Sequence, residues 1–516
     1  MRIGIDVGGT NTDAVLMEGR AVLAEFKTLT TPDVTAGIVA AMAGLQSAHP
    51  FPAERITTVM IGTTHFTNAV VEARRLARTG VIRLGLPATA ALPPMTDWPG
   101  RLSAALGKHG YLCHGGYEFD GRIISEFDEK EIRDVASDIA DKGIDTVAIS
   151  AVFSPVNSDM ELQAADIVRS MIPGAAISLS HEIGRIGLLE RENATILNAC
   201  LRDLASKITL ALESSVRSAG ITAPVYISQN DGTLMSVDYC REYPVATFAS
   251  GPTNSMRGAA FLSGQADCVV VDVGGTTSDV GALVRGFPRE AAVAVDIGGV
   301  RTNFRMPDVL SIGLGGGSLV TGSGSDLRVG PQSVGYAITE RARVFGGDTL
   351  TATDLAVAAG LCEVGDPGRV AGLDRDLVRQ GVSRIRDLVS ELVDRVKTSP
   401  DPLPVVVVGG GSVLIGDHID GASEILRPEH FAVANAIGAA IAQVGAEVDK
   451  VFSLSAQSRE SALDAARTEA IAKAEAAGAV RSTVEIVDIE EVPLAYLPSN
   501  AVRIRVKAVG DLPVGD

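Results

Sequence analysis

Cysteine is sparse in this chain and never grouped: there are five residues (Cys113, Cys200, Cys240, Cys268 and Cys362) and no C-x-x-C pair. That usage excludes a disulfide framework and a cysteine-rich zinc site, and it fits a reducing compartment. Aromatic residues make up only 4% of the chain, with Trp98 the single tryptophan. Positive charge is outnumbered, 45 Lys and Arg against 63 Asp and Glu, for a formal charge of -18. Nucleic acid and anionic membrane surfaces demand a cationic face, so neither is an expected partner. No apolar run reaches the ~18 residues expected of a membrane span. The chain enters MRIGIDVGG without the cationic and apolar regions of a targeting segment. A cytoplasmic location is the expectation.

What is present describes a large buried core: 46% apolar residues, 21% charged residues and 55 glycines in 516 positions. Short apolar runs alternate with amphipathic segments, which reads as an α/β fold. The expected strands are Ile3–Val7, Ala14–Met17, Thr58–Ile61, Val147–Val152, Val225–Ser228, Val269–Val273 and Val405–Val408. The expected helices are Glu129–Lys142, Asp159–Met171, Thr195–Ala219, Arg379–Thr398 and Arg459–Ala477. Residues 86–123, rich in Pro and Gly, read as an irregular excursion. Residues 285–335 are Gly- and Ser-rich but interrupted by apolar side chains, so an ordered hairpin or binding loop is expected there rather than a linker. From about Lys450 a helix, a strand over Val480–Asp488, a turn over Pro493–Ser499 and a strand over Val502–Ala508 read as a small α+β appendage. The expected divisions are 1–175, 176–449 and 450–516.

One phrase occurs twice. RIGIDVGGTNTDAV at residues 2–15 returns as VVVDVGGTTSDVG at residues 269–281. The copies align Asp6 with Asp272, Gly8 and Gly9 with Gly274 and Gly275, Thr10 with Thr276, and Asp13 with Asp279. Paired glycines let a strand turn sharply and bring main-chain N–H groups up to an anion. Thr10, Asn11, Thr12, Thr276 and Thr277 add side-chain donors, and an Asp at the strand end can hold Mg2+ directly or through water. Together these groups suit a metal-bound triphosphate. A third motif, VVVVGGGSVLIG at residues 405–416, places Gly409, Gly410 and Gly411 at the end of a buried strand. A flat ring or a ribose can approach closely there; a strand-to-helix turn without a ligand is the alternative. VDIGGV at residues 295–300 repeats the glycine pair without the Thr and reads as a turn.

The three signals in this order resemble the actin, sugar kinase and heat-shock chaperone superfamily. Within it, the chain resembles the ATP-binding subunit of the hydantoinase/oxoprolinase family over nearly its whole length. The stretches that carry the likeness are IGIDVGGTNTDAVL, IGTTHFTNAVVEA (61–73), ERENATILNACL (190–201), SQNDGTLMS (228–236), ASGPTNSMRGA (249–259), VVVDVGGTTSDV, and DVLSIGLGGGSLV with LRVGPQSVG. Departures from the family pattern fall at Ile61, where His is usual, at Asp231, where Gly is usual, and at Thr253, Asn254 and Ser255, where Ala-Gly-Gly is usual.

The resemblance implies two ribonuclease-H-like lobes around an ATP cleft, each contributing one phosphate hairpin, with ATP and Mg2+ as cofactors. It implies that Asp6 and Asp272 organise the magnesium and that Gly409–Gly411 face the adenosine. Asp6, Asp272 and Asp279 are the candidate catalytic acids; Asp13 and Asp279 can also be read as caps of their hairpins. Gly315, Gly316 and Gly317 form either a second anion-binding loop or a tight turn. Thr63, Thr64, His65 and Asn68 are candidates for the substrate side, although His65 also reads as a helix-start histidine held by hydrogen bonding. His109 and His114 flank Cys113 as a weak metal candidate. The implied activity is ATP-dependent opening of a cyclic amide, with a small-molecule kinase or an ATPase that activates a protein partner as alternatives. A separate partner subunit is implied because long oxoprolinases carry a second half; a homo-oligomer stays open beside it.

Overall fold

The computed structural model describes residues 1–9, 11–30, 34–291, 295–303, 306–455, 457–494 and 501–512. It is a mixed α/β structure with several sheets. RIGIDV forms the strand Arg2–Val7, whose two faces are both buried, and so lies inside a sheet rather than at its edge. It pairs antiparallel with Asn11–Glu18 and parallel with Thr58–Thr63. The full sheet has nine strands, ordered Glu485–Pro493, Ala501–Gly510, Val444–Ser453, Leu234–Ser236, Val225–Ser228, Thr58–Thr63, Arg2–Val7, Asn11–Glu18 and Ala21–Leu29.

A second sheet repeats the local plan. Cys268–Val273 pairs antiparallel with Ser278–Val284 and parallel with Leu403–Val408, as the first strand does with its two neighbours. Phe287–Pro288, Ala422–Leu426 and Val309–Ile312 complete its six strands. The helices Ser250–Ser263 and Ala434–Ile441 cross between the sheets and pack on each other. They touch backbone to backbone: a Cβ on Gly258 would lie 1.9 Å from the Ala434 carbonyl oxygen, and one on Gly438 would lie 1.8 Å from that of Asn254. Gly4 opens the same kind of space against Ala436, seating the second helix on the first strand.

Between Thr58–Thr63 and Val225–Ser228 the chain makes a separate parallel sheet, ordered His109–His114, Gly80–Leu86, Thr146–Ala151 and Ala176–Leu179. The expected irregular excursion therefore contains a helix, Gly100–Leu106, and a sheet-edge strand, His109–His114. HGYLCH carries no strand signal in sequence because only Cys113 in it is fully buried, leaving no apolar alternation to read. The long helix Leu188–Ser218 begins seven residues before the expected Thr195. Its first turns bury Arg191 and Glu192 instead of apolar residues. Arg83 donates to Glu192 at 2.6 Å and Ser150 donates to the same oxygen at 2.7 Å, all three groups buried. Arg191 donates to Ser180 at 2.9 Å, and Ser180 donates to the buried Glu161.

The tail forms the helix Arg459–Ala476 and the strands Glu485–Pro493 and Ala501–Gly510; residues 495–500, most of the expected turn, lie outside the described residues. Its last strand pairs with Val444–Ser453 over ten positions, so the tail extends the nine-stranded sheet. That sheet draws strands from all three expected divisions, and the boundaries after 175 and 449 are not sheet boundaries. Among the described residues no helix is long and apolar enough to cross a membrane.

Candidate functional site

The two copies of the repeated phrase are hairpins in the same register. In the first, Asp6 stands opposite Asp13 and Val7 opposite Thr12, and the Gly8 N–H donates to the Asn11 carbonyl at 3.0 Å. In the second, Asp272 stands opposite Asp279 and Val273 opposite Ser278, and the Gly274 N–H donates to the Thr277 carbonyl at 2.9 Å. Both turns open onto one cavity of about 510 Å³. The first hairpin lends it Asp6, Gly8, Gly9, Asn11 and Asp13; the second lends Asp272, Gly274, Gly275, Thr276, Thr277 and Asp279. Gly409, Gly410 and Gly411 line it, as do Gly316, Thr64 and Asn68.

Close contacts account for the glycines. The Gly411 N–H donates to the Val273 carbonyl at 2.7 Å, and Gly409 sits at φ 85°, where a Cβ would lie 2.2 Å from Asp272 Oδ1. At Gly9 and Gly410 a Cβ would meet no protein atom within 4 Å, so a side chain there would enter open space. Gly315 and Gly317 stand behind the wall rather than on it. Gly316 and Gly317 donate their N–H groups to the carbonyls of Gly274 and Gly275 at 3.1 and 2.8 Å, and a Cβ on Gly315 would lie 2.5 Å from the Gly275 carbonyl carbon. The Gly-rich run thus buttresses the second turn.

Three other expected residues are turned away. Thr12 alternates with Asn11 and Asp13, so its side chain is buried on the opposite face, 3.2 Å from the Thr30 hydroxyl. Thr63 and His65 hold each other, Oγ1 to Nδ1, at 2.6 Å. Burial, with the Arg75 charge adding to it, lowers the His65 imidazole to about 4, so it is a neutral helix-start histidine. Thr10 lies outside the described residues. The turn at residues 295–300 is a hairpin tip packed over Val70 and Pro99, off the cavity wall. His109 lies against Arg78, His114 against Glu131, and among the described residues no three His, Cys, Asp or Glu side chains group as a metal site.

Four residues that carry the site's electrostatics were not among the expected site residues. Lys27, directly opposite Asp13 across the strand pair, reaches Asp13 Oδ1 at 2.5 Å and is the only Lys or Arg among the described lining residues. Asn254 donates to Asp6 Oδ1 at 3.2 Å, and Asn435 donates to Asp6 Oδ2 at 3.0 Å and to Asp13 at 2.8 Å. The Ser255 hydroxyl donates to Asp272. Adjacent residues of one helix therefore reach the acids of both hairpins, and they are two of the three positions where the chain departs from Ala-Gly-Gly. Lys27 becomes readable as the in-register neighbour of an acid only with the strand Ala21–Leu29, which was not among the expected strands; Asn435 belongs to no recognisable motif.

Burial is the largest influence on the acids. It raises Asp6 to about 6 against the pull of the Asn254 amide, with Asp13 adding to the rise and Asn435 opposing it. Burial also raises Asp272, opposed by Ser255 and Lys27, and lifts Asp279 to about 6 against its Ser311 partner. Carboxylates that are costly to ionise, set beside turn N–H groups and hydroxyls, make a donor set for a hard divalent cation carrying an anionic ligand. The N-terminus of the helix Ser250–Ser263 adds to this field, since Gly251 and Pro252 line the cavity.

The profile described as Hydantoinase/oxoprolinase N-terminal region matches residues 2–172, and the profile Hydantoinase/oxoprolinase matches residues 191–387. The chain is 27% identical over 466 residues to caprolactamase subunit alpha of Pseudomonas jessenii, across 85% of this chain and 65% of that protein. It is 28% identical over 392 residues to the acetophenone carboxylase gamma subunit of Aromatoleum aromaticum, across 69% of this chain and 53% of that protein. The chain thus spans less than two thirds of the length of these curated relatives. Its fold is similar to the crystal structure of the ATP-dependent caprolactamase from Pseudomonas jessenii, with a TM-score of 0.80 at 18% identity, covering 99% of this chain and 89% of that one. With each hairpin inside its own matched profile, the chain belongs to the hydantoinase/oxoprolinase family.

Proposed function

We propose that the chain binds ATP with Mg2+ in the cavity between the two hairpins and uses it to activate the carbonyl of a cyclic amide for ring opening, in company with a separate subunit. The observation that carries this reading is the pair of hairpins in identical register facing one cavity, each ending in an Asp and two glycines. The repeated strand order around them supports two ribonuclease-H-like lobes as the frame of the cleft.

An amide oxygen is a poor leaving group, and ATP supplies the phosphoryl group that makes it a good one. The remaining work falls to side chains and main chain. Asp6 and Asp272 are assigned as magnesium ligands, one from each wall, since both are carboxylates at strand ends with room ahead of them. Turn N–H groups at Gly9 and Gly275, with Asn11, Thr276 and Thr277, orient the phosphates, while Gly8 and Gly274 close the turns through their own N–H bonds. Gly409–Gly411 are assigned to the nucleoside because all three line the cavity and a Cβ at Gly410 would enter its open space. Thr64 and Asn68, which line the cavity beside the first hairpin, are assigned to the acceptor. Positioning of this kind is the main source of rate in phosphoryl transfer.

The relatives' names include both an amide hydrolase and a carboxylase, and activation of a carbonyl is common to the two chemistries. The deciding experiment measures ADP release against a panel of lactams, hydantoins and ketones in the presence of the companion subunit, together with chromatography of the organic product. Ring-opened acid supports the reading; a released phosphorylated compound with an intact skeleton would make the chain a small-molecule kinase. ADP release unchanged in both Asp6→Ala and Asp272→Ala would overturn the cleft assignment.

A further inference from the structure

A second cavity, of about 180 Å³, lies where the short helix Ser180–Ile183, the helix Val237–Glu242 and the strand Val444–Ser453 meet. It shares no lining residue with the first. One short stretch of chain borders both: Val245 and Ala246 face the second cavity, while Gly251 and Pro252 face the first. Between them Ala249 adopts φ 59°, a left-handed conformation that costs a non-glycine residue about 1 kcal/mol and marks a wall held in place by its surroundings. The motif SQNDGTLMS, which the first cavity leaves unused, builds part of this wall through Gln229, Asn230 and Asp231.

The chemistry of the lining is specific about charge. Asp231 pairs with Lys507 at 2.9 Å, Arg185 with Asp449 at 3.3 Å, and Glu447 with Arg505 at 3.4 Å. Lys450 and Lys473 both reach Glu469, at 2.7 and 3.5 Å. Apart from Glu182 and the second lysine on Glu469, the charged groups are thus already paired within the protein, and an ion entering the cavity would be desolvated for little counter-charge. The apolar side is a pair of phenol rings, Tyr239 and Tyr243, with centroids 4.7 Å apart. The Tyr243 hydroxyl donates to Glu182 at 3.1 Å, whereas among the described residues the Tyr239 hydroxyl has no hydrogen-bond partner. Burial pushes the Tyr239 phenol up to about 12, so it remains a neutral donor at ordinary pH.

We propose that this second cavity binds a small neutral carbonyl compound of the cyclic-amide class, the ring lying against the tyrosine pair and the carbonyl oxygen accepting from Tyr239. The volume is below the ~300 Å³ lower end of sites for drug-sized ligands, so a single small ring is the scale that fits. The site is a holding pocket, since reacting atoms must come within about 3–3.5 Å of each other and the two cavities have separate walls. The choice of cyclic amide among neutral carbonyl compounds rests on the function proposed above; the neutrality and the donor do not.

The test titrates the full chain, without nucleotide, with 2-piperidone and with its ring-opened zwitterion, 5-aminopentanoate, by calorimetry and ligand-observed NMR. Binding of 2-piperidone is expected to exceed that of the zwitterion by at least ~10-fold. Tyr239→Phe should weaken 2-piperidone about 5-fold, the loss of one neutral hydrogen bond, and Ala246→Leu should abolish binding by filling the wall. Tighter binding of the zwitterion, or 2-piperidone affinity unchanged in both variants, overturns the proposal. Asp272→Asn serves as the control: lost ADP release with retained 2-piperidone binding keeps the two sites distinct, and lost 2-piperidone binding puts the probe in the first cavity and overturns it. Retained ADP release in Asp272→Asn counts against the nucleotide reading alone.

Discussion

Four carboxylates face the first cavity, and Lys27 is the only cation among its described lining residues, 2.5 Å from Asp13. On the proposed reading Lys27→Met leaves Asp13 without its counter-charge and the phosphates without a side-chain cation. ADP release should fall by about 10²-fold, with Lys27→Arg recovering part of the loss, in a coupled assay at saturating Mg2+. His65 gives a pH prediction of a different kind. Its folded-state value is held at about 4, below the ordinary 6.5, so as pH falls the unfolded chain takes up the proton first. Stability therefore drops as pH falls from about 6.5 towards 4, by about 1 kcal/mol between pH 7.5 and pH 5 after discounting for partial exposure. Urea midpoints at the two pH values should lie closer together in His65→Gln than in the parent.

Helices and strands explain which of these residues could be read in advance. The strands Ile3–Val7 and Val269–Val273 were legible to within one residue, because the glycine turn and the apolar run that specify each hairpin are local. The start of Leu188–Ser218 was not, because an amphipathic pattern cannot announce a buried face made of Arg191 and Glu192 paired to partners far away in the chain. Nor was Asn435, whose donation to Asp6 depends on where two helices cross. That crossing tolerates no side chain. Gly438→Ala would drive a methyl into the Asn254 carbonyl and should cost about 2–3 kcal/mol. Differential scanning calorimetry would register it as a lower melting temperature, and the displaced Asn254 would reduce ADP release beyond what the stability loss explains.

At the scale of the molecule, the pairing of the tail with Val444–Ser453 was invisible in sequence because its register is set by partners that no turn connects. The chain spans 65% of one curated relative and 53% of another, both of them named subunits. On the proposed reading the isolated chain should release ADP slowly and open no lactam, with ring-opened acid forming only once a companion subunit is added; chromatography of the two reactions side by side decides it. The common register of the two hairpins has one more consequence. Asp6 and Asp272 occupy the same place in the same turn, yet one is held by two asparagine amides and the other by a serine hydroxyl. The protein therefore carries its own matched control: making the same substitution at both positions varies the surroundings while the backbone stays constant, and the difference between the two outcomes measures what the neighbours contribute.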